Sequence, residues 1–425
     1  MKTKSAFFGW YAAWAAFVVA IFGWGIGFYG PPVFLHAVIE RTEWSLALVS
    51  GAVTFHYLTG VLVVANSAAI YRRTGLSAAT FFGALLLAVG ILGWALAETP
   101  LQLFAAAALT GVGWVGMGAV AMNAIVSPWF ERRRAAALSH AYNGSSLGGV
   151  IFSPLCVALI SGLGFPLAAL AIGTVMTVVI GLICRYVLIH TPESLGQAPD
   201  GDAPGDGVAE AARPSFPNLP GPALFREYAF WTLAIGMACA LFAQIGVITH
   251  LFSVLAIPLG AQTASLLMGG ATLCALAGRA LTGFLMPPSA NRRHVAAANN
   301  AMQIIGILCL IAAPDAGIAL IVLGVALFGC GIGNSTSLPP LIAQQDFAKA
   351  DHQRVISFIV AGAQTTYAFA PAVFGAIRAY APGALRLPEG DTAPMFAAAA
   401  LSLSIAIASL LAGRRRVPAA LRTEI

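Results

Sequence analysis

Twelve stretches of this sequence are continuously apolar, and each is long enough to cross a hydrocarbon core of about 30 Å as a helix of about 20 residues. They cover roughly 8–35, 45–70, 77–97, 101–127, 135–161, 166–189, 228–255, 262–286, 295–313, 315–342, 354–377 and 393–413. Only 9% of the 425 residues are charged, where a soluble domain carries about 25%. So few charges cannot solvate the surface of a water-soluble enzyme of this length. The runs do not alternate apolar with polar residues, which excludes an outer-membrane barrel. The fold class is therefore all-α, a polytopic membrane protein with 12 transmembrane helices whose surroundings are the lipid bilayer. The first run follows Lys2 and Lys4 and exceeds any signal-peptide core, so it reads as a retained helix.

The formal charge of +6 could suggest nucleic acid, but the basic residues form short clusters between the apolar runs. That pattern orients a membrane protein, and no nucleic-acid partner is expected. With the N-terminus inside, the inner segments hold Lys2, Lys4, Arg72, Arg73, Arg132–Arg134, Arg185, Arg213, Arg226, Arg292, Arg293, Lys349, Arg354, Arg414–Arg416 and Arg422, which is 18 of the 22. The outer segments hold three, Arg41, Arg378 and Arg386. Both termini are therefore expected in the cytoplasm. A stretch rich in Pro, Gly, Asp and Ala at 191–224 reads as a flexible cytoplasmic linker. It separates an N-terminal six-helix bundle (1–190) from a C-terminal one (225–425). The halves echo each other. A basic pair follows the second run (Arg72, Arg73) and the eighth (Arg292, Arg293), and Arg134 and Arg354 open the fifth and eleventh. Two six-helix pseudo-repeats about a linker form a transporter architecture with a mid-membrane site.

Polar content sorts the spans. The third and twelfth have no Asn, Gln, His or charge, the sixth has only Thr174 and Thr177 before Arg185, and the ninth becomes apolar after Asn299, Asn300 and Gln303. These four read as outer, lipid-facing helices. Elsewhere polar side chains gather: His56, Asn123, His140, Tyr142, Asn143, Gln244, His250, Asn334 and Tyr367 among them. Such groups are costly in lipid unless they face a bundle interior or a wet cavity. The remaining eight helices are expected to enclose an aqueous path. Gly23/Gly27, Gly144/Gly148 and Gly329/Gly333 set pairs of glycines on one helix face for close packing. Gly30-Pro31-Pro32 should kink or end the first helix.

Arg279 is the one basic residue inside a predicted span. All 16 acidic residues lie in loops or at helix ends, so the offset for a charge costing about 2.5–3.5 kcal/mol on insertion scales has to come from elsewhere. An anionic substrate could supply it, since a guanidinium is a planar fork suited to a carboxylate. Snorkelling is the other reading, because Arg279 lies only about 10 Å from the inner end of its span. A single internal cation favours a monoanion. His250 and His56 are the candidates for carrying a coupling proton, His250 the better because Gln244 and Arg279 belong to the same half. The six cysteines stand 21 or more residues apart in apolar runs. They have no metal-ligand spacing, and neither metal nor cofactor is expected.

These residues resemble the major facilitator superfamily and, within it, the bacterial monocarboxylate transporter-like branch, neighbour to the oxalate/formate antiporters. The resemblance runs over essentially the whole chain. It is carried by Gly30-Pro31-Pro32-Val33-Phe34 with Glu43-Trp44-Ser45, and by Ser127-Pro128-Trp129-Phe130-Glu131-Arg132-Arg133-Arg134 leading to Gly144-Ser145-Ser146-Leu147-Gly148-Gly149. Thr249-His250-Leu251 and Gly278-Arg279-Ala280-Leu281-Thr282-Gly283 complete it. It implies the major facilitator fold, alternating access by rocking of two halves, a bacterial inner-membrane location, and substrate contact by Arg279 with Tyr29 and Asn123 lining the site. Three features depart from the family. The antiporter relatives add a lysine in the eleventh helix, where this chain reads Gln364-Thr365-Thr366-Tyr367, which disfavours oxalate-like dianions. Animal-type members carry an Asp four residues before the arginine, where this chain has Ala275. The signature loop after the second helix usually carries an acid, but Tyr71-Arg72-Arg73-Thr74-Gly75 and its repeat at 286–293 have none. The usual charge latch must therefore be weaker or built differently.

The expected function is secondary transport of a small organic monocarboxylate, with or without protons, by a monomer that is not an enzyme. Arg279, Tyr29, Asn123, Tyr142, Asn143, Gln244, His250, Asn334 and Tyr367 are the expected substrate-binding residues. The alternatives are an efflux carrier for larger apolar compounds and a membrane ligand sensor that does not transport.

Overall fold

The computed structural model describes residues 7–201, 219, 221–287 and 289–413. Among the described residues there are twelve helical spans: Gly9–Thr42, Leu46–Val64, Leu76–Leu96, Pro100–Val126, Ala136–Leu163, Phe165–Tyr186, Tyr228–Leu259, Ala261–Leu285, Arg292–Ala313, Ile318–Asp346, Arg354–Ala384 and Ala393–Ala412. These are spans one to twelve below. Six spans return the chain to the face it started from, so each half begins and ends on one face, called here the linker side. Of the basic residues behind the expected orientation, Lys2, Lys4, Arg213, Arg414, Arg415, Arg416 and Arg422 lie outside the described residues.

The helices break where the sequence forces them to. Span one is two helices, Gly9–Gly27 and Gly30–Thr42, with the Pro31-Pro32 pair in the first turn of the second. There proline's missing N–H and fixed φ cost nothing. Span four breaks at Gly116–Gly118 into Pro100–Val115 and Ala119–Val126. Span eleven breaks at Phe369 into His352–Ala368 and Ala370–Ala384. This second piece runs beyond the expected end at 377, so Arg378 is a span residue and not an outer-loop one. The loop-like signals Arg378 and Pro382 are absorbed because Pro371 restarts the helix in its own first turn.

Contacts divide the chain into two compact units, one of Met1–Gly207 with Leu251–Gly269 and one of Val208–His250 with Gly270–Ile425. In the first, span three packs on spans four and six; in the second, span nine packs on spans ten and twelve. The repeat is visible as equivalent neighbours. The outer helices turn large apolar side chains outward, for example Leu167, Leu170, Val175, Val178 and Leu182 on span six. An apolar surface of that kind suits lipid. Span nine differs from its sequence reading on one face. Asn299, Asn300 and Gln303 are buried, while Ile305 and Leu308 stay exposed.

The charge latch is built differently in the two halves. Arg72 and Arg73 at the end of the Leu46–Thr74 helix are exposed. Arg293, at the start of span nine, is 2% exposed. Its Nε donates to Asp346 Oδ2 at 2.6 Å, and its terminal nitrogens donate to Thr232 Oγ1 and the Ala229 carbonyl at 3.2 and 2.8 Å. The acid absent from the loop comes from the last residue of span ten. Arg292 joins the same corner, with its N–H on Gln345 Oε1 and Nη1 on the Leu341 carbonyl.

The described ends of the linker are folded. Short 3-10 turns cover Glu193–Leu195, Pro199–Gly201 and Gly221–Arg226. Flexibility through all of 191–224 was expected, but these ends dock on polar partners; the stretch 202–218 lies outside the described residues.

Candidate functional site

In the second unit, spans eight and ten cross so closely that a Cβ on Gly278 would strike the Cys330 carbonyl. One on Gly333 would likewise strike the Ala275 carbonyl. Backbones approach this way in membranes only through small residues. The crossing places Arg279 against Gly333 and Asn334 against Gly278. Arg279 Nε donates to the Gly333 carbonyl at 3.1 Å. Asn334 Nδ2 lies 3.3 Å from the Gly278 carbonyl, 2.9 Å from Thr282 Oγ1 and 3.0 Å from Asn299 Oδ1. Neighbouring residues on two helices thus bond to each other's backbone, and the half-buried arginine is braced rather than loose.

Around this brace lies a buried amide network. Gln244 Nε2 donates to Gln303 Oε1 at 2.7 Å and to Ser335 Oγ at 2.6 Å. Asn299 Nδ2 donates to the Gly331 carbonyl, and Gln303 Nε2 approaches Asn300 Oδ1. Each bond of this kind is worth about 0.6 kcal/mol in lipid, with a ceiling of about 2. The network's main effect is to fix three helices against one another. A cavity of about 20 Å³ lies among Asn299, Asn300, Asn334 and Ser335. An open groove on the outer surface, about 530 Å³, is lined chiefly by apolar Ala277, Leu281, Phe284 and Met302, with Thr282 and Asn334 as polar members.

His250 is fully buried on span seven, its Nε2 3.0 Å from the Pro371 carbonyl at the start of the second helix of span eleven. Arg378 shares a helix face with the buried Pro371, Phe374, Gly375 and Pro382. It is the charged residue that the sequence places outside the membrane, so Arg279 is not the only cation within the spans and a single internal cation no longer argues for a monoanion. Tyr367 is buried on the first helix of span eleven.

The first unit holds Tyr29, His56, Asn123, Tyr142 and Asn143. Asn123 and Tyr142 come together: Asn123 Nδ2 donates to the Tyr142 hydroxyl at 3.0 Å, and that hydroxyl donates to the Ala119 carbonyl at 3.3 Å. Trp24 meets the Tyr142 ring edge-on. Asn143 is half-buried one residue further along. Tyr29 is buried beside Phe28 at the break of span one. His56 is elsewhere. It is 1% exposed, with Nδ1 2.9 Å from Thr110 Oγ1, and it stacks on Trp114. Among the described residues no group of three or more His, Cys, Asp or Glu could hold a metal ion.

Twelve apolar spans in two equivalent halves, with polar clusters and a braced cation inside the spans, define an integral membrane transporter. The chain belongs to the Major Facilitator Superfamily, whose family model matches residues 12–371. No curated protein matches the sequence. Among solved structures it is similar to a bacterial homolog of the human lysosomal transporter Spinster in an inward-facing, occupied conformation. The identity is 15%, over 98% of this chain and 100% of that one, with a TM-score of 0.66. It is also similar to the nucleoside transporter NupG, at 12% identity over 95% of this chain and 100% of that one, with a TM-score of 0.70. At such identities the likeness establishes the fold alone.

Proposed function

We propose that this transporter carries small organic monocarboxylates, with Arg279 as the carboxylate anchor. The observation that supports this reading is a half-buried guanidinium inside a membrane span whose Nε is fixed by the Gly333 carbonyl. A guanidinium held at Nε has a fixed plane, and a planar fork is the geometry from which a carboxylate accepts two parallel bonds. A lysine there would keep the charge and lose the fork. Tyr29, Asn123, Tyr142, Asn143, Gln244, Asn334 and Tyr367 remain the proposed substrate-binding companions. The Gln244 and Asn334 amides support the site by bracing its helices.

Proton coupling is assigned to His250 in preference to His56. It sits in the same unit as Arg279, while Ala275 stands where the animal-type relatives place an acid. The protein acts as a monomer in a bacterial inner membrane with linker and termini in the cytoplasm. The basic-residue bias supports that orientation more sharply once Arg378 is counted with the spans, leaving Arg41 and Arg386 on the outer side.

The test is uptake of labelled small monocarboxylates into proteoliposomes with and without an inward proton gradient, with nucleosides as uncharged competitors. Wild type is expected to take up an acid with gradient stimulation. Arg279→Gln should abolish uptake, and His250→Gln should abolish the stimulation while sparing exchange. Uptake of nucleosides but of no acid, or full activity in Arg279→Gln, would overturn the reading.

A further inference from the structure

Two helices of the first unit begin on the linker side without a side-chain cap of their own. Span one starts after Phe8 and the span-five helix after Arg133, and neither residue caps. The first N–H groups of a helix need partners from somewhere. At these two starts the linker supplies partners to the residues that lead into the helix. Gln197 Oε1 accepts the Phe8 N–H at 2.9 Å. The Asp200 carboxylate accepts three consecutive backbone N–H groups, from Glu131, Arg132 and Arg133, at 3.1, 2.7 and 3.1 Å. Asp200 returns its own N–H to the Trp129 carbonyl at 2.9 Å. It is 7% exposed and holds a left-handed backbone, φ 62°. A non-glycine residue adopts that conformation at some cost, which the surrounding bonds offset. Arg134 meanwhile turns back onto the carbonyls of Phe130 and Ser127, at the end of span four. The basic side chain serves the negative helix end and the linker acid the positive one.

The other end of the linker docks on the second unit at the sequence counterpart of this turn. Asp351, which precedes the first helix of span eleven, accepts the Leu219 N–H at 2.8 Å. Arg354 Nη2 donates to the carbonyls of Leu219 and Gly221. The polarity is reversed: in the first unit the linker brings the acid, and in the second the turn does. Equivalent turns gripping opposite ends of one linker with different chemistry are two independent clasps.

We propose that residues 190–201 are a strap that ties the starts of spans one and five into one body on the linker side, with Asp200 as its buckle. The strap acts through docking and not through the covalent path to the second half. The two starts also meet directly, Phe7 and Trp10 on Phe130 and Phe8 on Trp129, and the strap adds polar ties to that apolar contact.

Hydrogen exchange on the full-length protein tests this. Asp200→Ala should raise exchange about tenfold or more in the Glu131–Arg133 amides, a tenfold change corresponding to about 1.4 kcal/mol. It should also raise exchange at Phe8, which Asp200 does not touch. Gln197→Ala should do the reverse, loosening Phe8 and, through the strap, Glu131–Arg133. Cutting the chain at a protease site inserted between Gly207 and Val208 should leave both regions protected. An Asp200→Ala effect confined to 131–133 would reduce Asp200 to a local cap. Loosening by the cut alone would show that continuity, not docking, holds the turn. Either result overturns the strap. Should Asp200→Ala not fold, the Gln197→Ala and cut-chain arms decide the question.

Discussion

The two basic turns occupy equivalent places in the repeat and have different fates. After span two, Arg72 and Arg73 stand exposed. Among the described residues neither side chain makes a hydrogen bond or an ion pair. After span eight, Arg293 is buried in a corner made by Asp346, Thr232 and the Ala229 carbonyl. The same sequence feature can thus be a solvated charge in one half and a packed pin in the other. What differs is one acid, on another helix 53 residues from Arg293. A buried pair of this kind is poor evidence of extra stability, yet removing one partner leaves an uncompensated charge. The second half is committed at this corner and the first is not.

The largest expected effect breaks that contrast from the committed side. Asp346→Ala should cost about 3–5 kcal/mol and lower the thermal midpoint in detergent, whereas Arg72→Ala should stay within about 0.5 kcal/mol. Similar losses in the two variants would remove the distinction. Replacing both Arg293 and Asp346 by leucine sharpens it. Stability near wild type with transport lost would make the pair a conformational pin. Stability and transport both retained would make it dispensable.

Next in size is Gly333→Ala, where the added methyl meets the Ala275 carbonyl. Overpacking should cost about 1–3 kcal/mol and shift Arg279, so substrate affinity should fall along with the melting midpoint. Asn334→Ala should cost about 0.6–2 kcal/mol while weakening substrate affinity, because Gly278, next to Arg279, loses its tie to span ten. An equal loss of stability with unchanged affinity would detach the brace from the site.

The smallest effect near neutral pH belongs to the first half's clasp. Burial disfavours the Asp200 anion, but the three backbone donors and the Arg132 charge outweigh it and hold the carboxyl below its usual range. A depressed carboxyl stabilises the fold above its unfolded value of about 3.9, and the contribution disappears as pH falls through the folded value. Exchange protection of Glu131–Arg133, corrected for intrinsic rates, should therefore be flat from pH 8 to pH 5 and fall only in stronger acid. A loss of protection between pH 7 and pH 5 would contradict this.

What the sequence makes legible is whatever is encoded locally. An apolar run long enough to cross lipid leaves little choice, so twelve spans are readable. Gly30-Pro31-Pro32 marks the break of span one as plainly. Arg279 stands out because a charge in an apolar run is rare. The missed features are pairings across the chain. Nothing near Arg293 announces Asp346, and nothing near Glu131 announces Asp200. Span nine looks outward on average because its amides occupy only one face of an otherwise apolar helix. Arg378 reads as an outer residue because a charge, a tyrosine and a proline close together end the apolar run at 377. Whether they end a helix depends on the face they share, which packing decides.

The most direct test of the central claim is equilibrium binding of a labelled monocarboxylate to the purified protein, comparing wild type with Arg279→Lys and Arg279→Gln. The account predicts saturable binding by wild type, at least tenfold weaker binding by Arg279→Lys, which keeps the charge without the fork, and none by Arg279→Gln. Binding of equal strength in all three would contradict it.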